Sequence, residues 1–85
     1  MPDIKVYCTQ TCPFCIRAIM LLDSKGVEYT KIRVDKDPSA RKEMESRSGR
    51  SSVPQIFIDA FHVGGFDSLT ELDLDDKLDP MLNLA

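Results

Sequence analysis

Cys12-Pro13-Phe14-Cys15 places two thiols two residues apart, between a short apolar run and a long one. The chemistry this spacing suits is thiol–disulfide exchange. Pro13 fits the first position of a helix, because its missing N–H would have no partner there anyway. Cys12 then falls at the N-cap, where its sulfur can accept from the free N–H groups of the first turn. Their partial positive charge favours thiolate over thiol. Cys15 lies one turn inside, on the same side and more covered. Cys12 is therefore expected to be the nucleophile and a good leaving group. Cys15 is expected to be the resolving thiol, or the partner in an intramolecular disulfide.

A lone CxxC can also be half of a zinc site, which needs four ligands. Only Cys8 and His62 remain to complete a Cys3His set. Cys8 shares a strand face with Ile4 and Val6, which marks it as a small core residue. His62 reads as an ordinary polar or half-buried histidine on a terminal strand. No metal is expected.

Two further segments could complete a site. Ser52-Val53-Pro54 leads into an apolar run, and a proline there is either an ordinary trans residue at a strand start or a cis break. With the CxxC in the same chain the cis form is favoured. It would turn the Val53 N–H and C=O toward a peptide-like substrate. Gly64-Gly65 precedes Phe66-Asp67-Ser68, where a helix start could hold a carboxylate. The same residues also make a plain turn with a capped helix.

The elements that must position these groups are legible from punctuation and period. Ile4–Cys8 reads as a strand and Pro13–Lys25 as a helix, with Gly26 just past its end. Residues 27–34 read as a second strand. Asp37-Pro38 opens a mostly polar helix that ends near Gly49, with Ala40 and Met44 as its inward stripe. Gln55–Ile58 and Phe61–Val63 form a hairpin about a tight turn at Asp59-Ala60. Tyr7 and Phe57 are expected in the core. Asp67 is expected to cap a last helix with Leu69, Leu72, Leu74 and Leu78 inward, and Pro80 to end it or to start a last turn. The order is βαβ-α-ββα: a parallel pair with a right-handed crossover, then a hairpin. The expected class is α/β, a mixed four-stranded sheet flanked by helices.

Composition sets the frame. The 85 residues suffice for one domain over 1–85 with a modest core. The net charge of −3 disfavours nucleic acid as a partner. It is unevenly spread: residues 31–50 hold seven Lys/Arg against four Asp/Glu, and residues 67–79 hold six Asp/Glu and one Lys. These runs read as solvated faces, or as a basic rim for an anionic thiol and an acidic face for partner choice. No segment is long and apolar enough to span a membrane, and no secretory pattern opens the chain. Three cysteines are too few for a disulfide scaffold, so the expectation is a reducing compartment, the cytoplasm.

Together these residues resemble the glutaredoxins, in particular short dithiol members of bacterial type, over nearly the whole chain. The resemblance is carried by Tyr7 to Cys15, Ser24-Lys25-Gly26-Val27, Arg47-Ser48-Gly49-Arg50, Val53 to Asp59, and Gly64-Gly65 with Asp67. It implies a thioredoxin fold. It also implies a thiol–disulfide oxidoreductase with glutathione as reductant and substrate, held as a mixed disulfide on Cys12. Val53 beside cis-Pro54 would then hold the cysteinyl backbone of glutathione, and Asp67 and Ser68, after Gly65, its γ-glutamyl end. Arg41 would lie near the glycyl carboxylate, and Phe14 would shape the groove. Glutathionylated or disulfide-bonded proteins are the implied partners, with glutathione reductase acting indirectly, and the chain is expected to be a monomer. Thr9 departs from the lysine many members carry, which removes one cationic contact and leaves the helix terminus as the main activator of Cys12. Ser52 replaces a common threonine, and Ser68 replaces a carboxylate. Phe66 adds an apolar wall or packs inward. The alternatives are a redoxin reduced by thioredoxin reductase and a carrier bridging a [2Fe–2S] cluster through Cys12 and glutathione. Pro13 disfavours the cluster by crowding it.

Overall fold

Side chains alternate along the first strand, β1 (Ile4–Cys8), and that alternation sorts the core into two layers. The structure is a computed structural model that describes residues 2–84. Met1 and Ala85, the ends of the single domain expected over 1–85, lie outside the described residues. After β1 come α1 (Pro13–Ser24), β2 (Thr30–Arg33), α2 (Pro38–Ser48), β3 (Gln55–Ile58), β4 (Phe61–Gly64), α3 (Phe66–Leu74) and α4 (Leu78–Met81).

The strands form one sheet in the order β2-β1-β3-β4. β1 runs parallel to β2 and antiparallel to β3, and β3 is antiparallel to β4. This mixed sheet with helices on both faces is the thioredoxin fold expected above. Ile4, Val6 and Cys8 of β1 face one layer with Cys15, Ala18 and Leu22 of α1, Leu69 of α3 and Leu78 of α4. Tyr7 and Phe57 face the other layer with Val34 and with Ala40 and Met44 of α2. α1 and α2 thus cover opposite faces, and α1 starts at the C-terminal end of β1. That is where ligands bind in open α/β sheets.

Local signals hold for the first two helices. Lys25 closes α1, and Gly26 follows at φ +71° with its N–H on Asp23 O at 3.0 Å. Asp37 caps α2 by accepting from the Ser39 and Ala40 N–H groups, and Gly49 ends it at φ +70°.

Three expectations need correction. The second strand is Thr30–Arg33 rather than 27–34, because β1 supplies ladder partners only from Lys5 to Cys8. The cap of α3 is Gly65, not Asp67, which lies in the first turn. The last helix is two pieces: α3 stops at Leu74, the chain turns through Asp76 at φ +58°, and Leu78 is buried from α4, which contains Pro80. Leu74 is 77% exposed, not inward. At 100° per residue it sits about 140° around the helix from Leu69, which is buried. Lys25 at the end of α1 ties these pieces down, with its Nζ 2.6 Å from Asp73 and 2.7 Å from Asp79.

Candidate active site

The chain leaves β1 through Thr9-Gln10-Thr11 and enters α1 at Cys12, which is extended (φ −84°, ψ 113°) and serves as N-cap. Its sulfur accepts the Cys15 N–H at 3.3 Å. The loop is anchored to the end of β2. Arg33 grips Asp35 with two bonds of 2.8 and 2.7 Å and donates to Gln10 Oε1 at 3.3 Å. Hydrogen bonding to Arg33 holds the Asp35 carboxyl well below the usual carboxylate range.

The two active-site thiols differ in environment. Cys12 is half-buried, whereas Cys15 is 1% exposed. Burial first, then the hydrogen bond with Cys12, push the Cys15 thiol up to about 12; the Thr9 backbone N–H opposes them, and the charge of Cys12 adds a lesser upward push. At neutral pH Cys15 therefore keeps its proton and can donate it to the Cys12 sulfur. Burial also raises Cys8, with Lys31 and Arg33 opposing it. The Cys12–Cys15 pair lies close together without being at disulfide distance, so this is the dithiol form.

The Val53–Pro54 peptide bond is cis, as favoured above. The Cys12 thiol points at the Val53 carbonyl oxygen, 3.7 Å away. From there a groove of about 290 Å³ opens between the Ser52–Gln55 segment and the start of α3. Phe14, Val53, Pro54, Gly65, Asp67 and Ser68, all named from the sequence, line it. The first-turn N–H groups of α3 have no intrahelical acceptor and no side-chain cap, which leaves them open to an anionic group. A Cβ on Gly65 would come within 3.5 Å of the Pro54 carbonyl oxygen, so the two walls meet closely at this glycine. Phe14, half exposed, lies 6.3 Å from the Phe66 ring and under the Arg17 guanidinium at 5.6 Å. Phe66 does both things expected of it, lining the groove and packing against the core.

Two named residues are not in the lining. Thr9 sits half-buried in the loop, with its backbone N–H near Cys15. Arg41 donates to the Ser51 carbonyl oxygen at 3.3 Å and so grips the loop that leads into the groove. Arg50, Ser52 and Gln55 do line it, although the sequence reading gave them no binding role. The signal for Arg50 was present in Gly49: a left-handed glycine ends α2 and redirects the next side chain. The zinc set does not assemble, because Cys8 packs in the α1 layer while the His62 ring stacks on Phe57 in the other.

The comparisons agree with this geometry. The glutaredoxin family model matches residues 4–63. The chain is 50% identical over 82 residues to glutaredoxin 3 of Escherichia coli (strain K12), covering 96% of this chain and 99% of that protein. Among solved structures, a buckwheat glutaredoxin–glutathione complex superposes with a TM-score of 0.88 at 32% identity, over 96% of this chain and 77% of the other. A glutaredoxin from Brucella melitensis gives 0.85 at 45% identity, over 99% and 91%. An N-capping thiol, a buried partner thiol and a cis-proline groove thus sit on a family-wide scaffold: the chain belongs to the glutaredoxin family and is a thiol–disulfide oxidoreductase.

Proposed function

We propose that the chain reduces glutathione mixed disulfides and protein disulfides with electrons from glutathione. The observation that carries this reading is the Cys12 sulfur at the head of α1, facing the Val53 carbonyl where the groove begins. The glutathione seated on the buckwheat relative supports the same ligand here. Val53 would pair with the cysteinyl backbone of glutathione, against Pro54 and Phe14. Gly65, Asp67 and Ser68 would receive the γ-glutamyl end, its carboxylate on the open N–H groups and its ammonium on the Asp67 carboxylate. Arg50, which lines the groove, would meet a carboxylate, and Arg41 would act by holding the loop.

The Cys12 thiolate attacks the glutathione sulfur of a mixed disulfide. The substrate S–S bond breaks, the substrate leaves as thiolate, and glutathione stays bonded to Cys12. A second glutathione thiolate attacks the glutathione sulfur of that adduct, which releases oxidised glutathione and restores the Cys12 thiolate. With a protein disulfide, Cys12 bonds one sulfur and frees the other as thiolate. Cys15 loses its proton, attacks the Cys12 sulfur and releases the second substrate thiolate. Two glutathiones then reduce the Cys12–Cys15 disulfide. Glutathione reductase closes the cycle indirectly. The setting is one domain over 1–85, a monomer in the cytoplasm. Among the described residues no helix is long and apolar enough to cross a membrane.

The test is reduction of a glutathionylated peptide coupled to glutathione reductase and NADPH. Wild type and Cys15→Ser should turn over, Cys12→Ser should not, and Cys15→Ser should lose most reduction of protein disulfides. Turnover by Cys12→Ser would sink the mechanism. Reduction by thioredoxin reductase but not by glutathione would transfer the protein to the other redoxin route.

A further inference from the structure

Gln55 is the one fully buried polar side chain among the described residues, 1% exposed, and it follows Pro54 directly. Its Nε2 donates to the Ser52 carbonyl oxygen at 3.0 Å and to Ser52 Oγ at 3.3 Å. A carbonyl oxygen only accepts, so the NH2 side of the Gln55 amide must face Ser52. The Gln55 Oε1 then faces His62, whose Nε2 is 2.7 Å away. Oε1 also only accepts, so His62 must carry its hydrogen on Nε2. One backbone carbonyl thereby sets both the amide orientation and the tautomer. His62 is held from the side by stacking on Phe57, with centroids 4.8 Å apart and rings 27° from parallel. Burial, then the charges of Arg50 and Arg47, keep its pKa below the usual histidine value, so the ring is neutral near pH 7.

We infer that His62 is a positioning residue: through the Gln55 amide it holds Ser52-Val53-Pro54 in the conformation that meets the substrate backbone. This rests on the proposed role of Val53 in binding the cysteinyl part of glutathione. Without the imidazole donor, Gln55 Oε1 is left buried and unpaired. The amide then gains by turning toward water, and its grip on Ser52 loosens.

Two variants separate this role from plain packing. His62→Phe keeps a ring for Phe57 and loses the donor. His62→Gln keeps an N–H donor at similar reach and loses the ring stack. With a glutathionylated peptide as substrate, His62→Phe should raise KM about five- to tenfold with kcat within about twofold, the pattern of lost ground-state binding. His62→Gln should stay within about twofold of wild-type KM even though its Tm falls. Nitrogen-15 spectra of the wild type should show the imidazole hydrogen on Nε2. In His62→Phe the Gln55 side-chain amide hydrogens, which bond Ser52 in the wild type, should exchange faster. A wild-type KM in His62→Phe, equal damage in His62→Gln, or a hydrogen on Nδ1 would each overturn the inference. If the wild type fails to saturate with the glutathionylated peptide, the proposed function fails instead. The tautomer and the amide exchange rates still decide the role of His62.

Discussion

Cys15 should be almost inert until Cys12 is occupied. Its thiol is pushed up to about 12 from an ordinary 9.0, chiefly by burial and then by the hydrogen bond and charge of Cys12. At pH 7.5 a pKa of 12 leaves about 3 thiolates in 10⁵, and a pKa of 9.0 leaves about 3 in 100. The more basic thiolate is intrinsically the better nucleophile, and with a Brønsted slope near 0.45 this returns roughly 20-fold of the ~1,000-fold deficit. Ionisation alone should therefore slow alkylation of Cys15 about 50-fold relative to the same thiol in the unfolded chain, and its 1% exposure slows it further. The assay is a timed iodoacetamide pulse on reduced protein at pH 7.5, with and without urea, each cysteine being quantified by peptide mass spectrometry. The rate at Cys15 should rise with pH up to at least pH 10. Replacing Cys12 by Ala removes the hydrogen bond and the charge but not the burial, so Cys15 should alkylate faster in that variant than in wild type. A Cys15 rate within fivefold of the unfolded value, or no gain in Cys12→Ala, would refute the assignment of causes. The functional consequence is timing. A mixed disulfide on Cys12 removes the same hydrogen bond and charge, so the resolving thiol would become competent when there is a disulfide to resolve.

Gly64→Ala should destabilise the fold. Gly64 sits at φ +113°, and a Cβ there would lie 2.9 Å from Ser68 Oγ and 3.2 Å from Ser68 Cβ. Backbone strain and overpacking together should cost about 2–4 kcal/mol in urea unfolding, and a loss below about 0.5 kcal/mol would contradict the geometry. Arg50→Ala should raise KM for a glutathionylated peptide about three- to tenfold, and more than Arg41→Ala, because Arg50 lines the groove while Arg41 binds the Ser51 carbonyl. Steady-state kinetics at low salt reads the difference, and the reverse ranking would contradict it. His62 should make stability depend on pH. Its folded pKa lies below the unfolded value of about 6.5, so the unfolded chain binds the proton more tightly. Its contribution is fully present above pH 6.5 and is lost as pH falls toward the folded pKa. Thermal scans of wild type against His62→Phe from pH 8 to pH 5 should show the flatter profile in the variant.

Much of this molecule follows from rules that act within a few residues. Pro13 needs no N–H partner at the first helical position, so the nucleophile at the N-cap was legible from Cys12-Pro13 alone. Asp37-Pro38 and Gly49 marked both ends of α2 for equally local reasons. Period two in β1 separated Ile4, Val6 and Cys8 from Tyr7 before any packing was known. The residues that escaped local reading are those whose role depends on where distant segments meet. Asp67 looked like a cap, but helix geometry extends back to Phe66, so the cap is the extended Gly65, where the chain turns against Pro54. Leu74 fitted an apolar stripe, but the turn at Asp76 let Leu78 fill the core from a separate helix. Arg41 and Arg50 are both basic residues near one loop. Only the packing of α2 against the sheet puts Arg50 into the groove and Arg41 on the Ser51 carbonyl. The Ser52–Gln55–His62 chain of hydrogen bonds also depends on β3 pairing with β4, which brings His62 opposite Phe57. Capping and periodicity are written in neighbouring residues, whereas the walls of a groove come from long-range burial, which decides which of several equally polar side chains finds a partner.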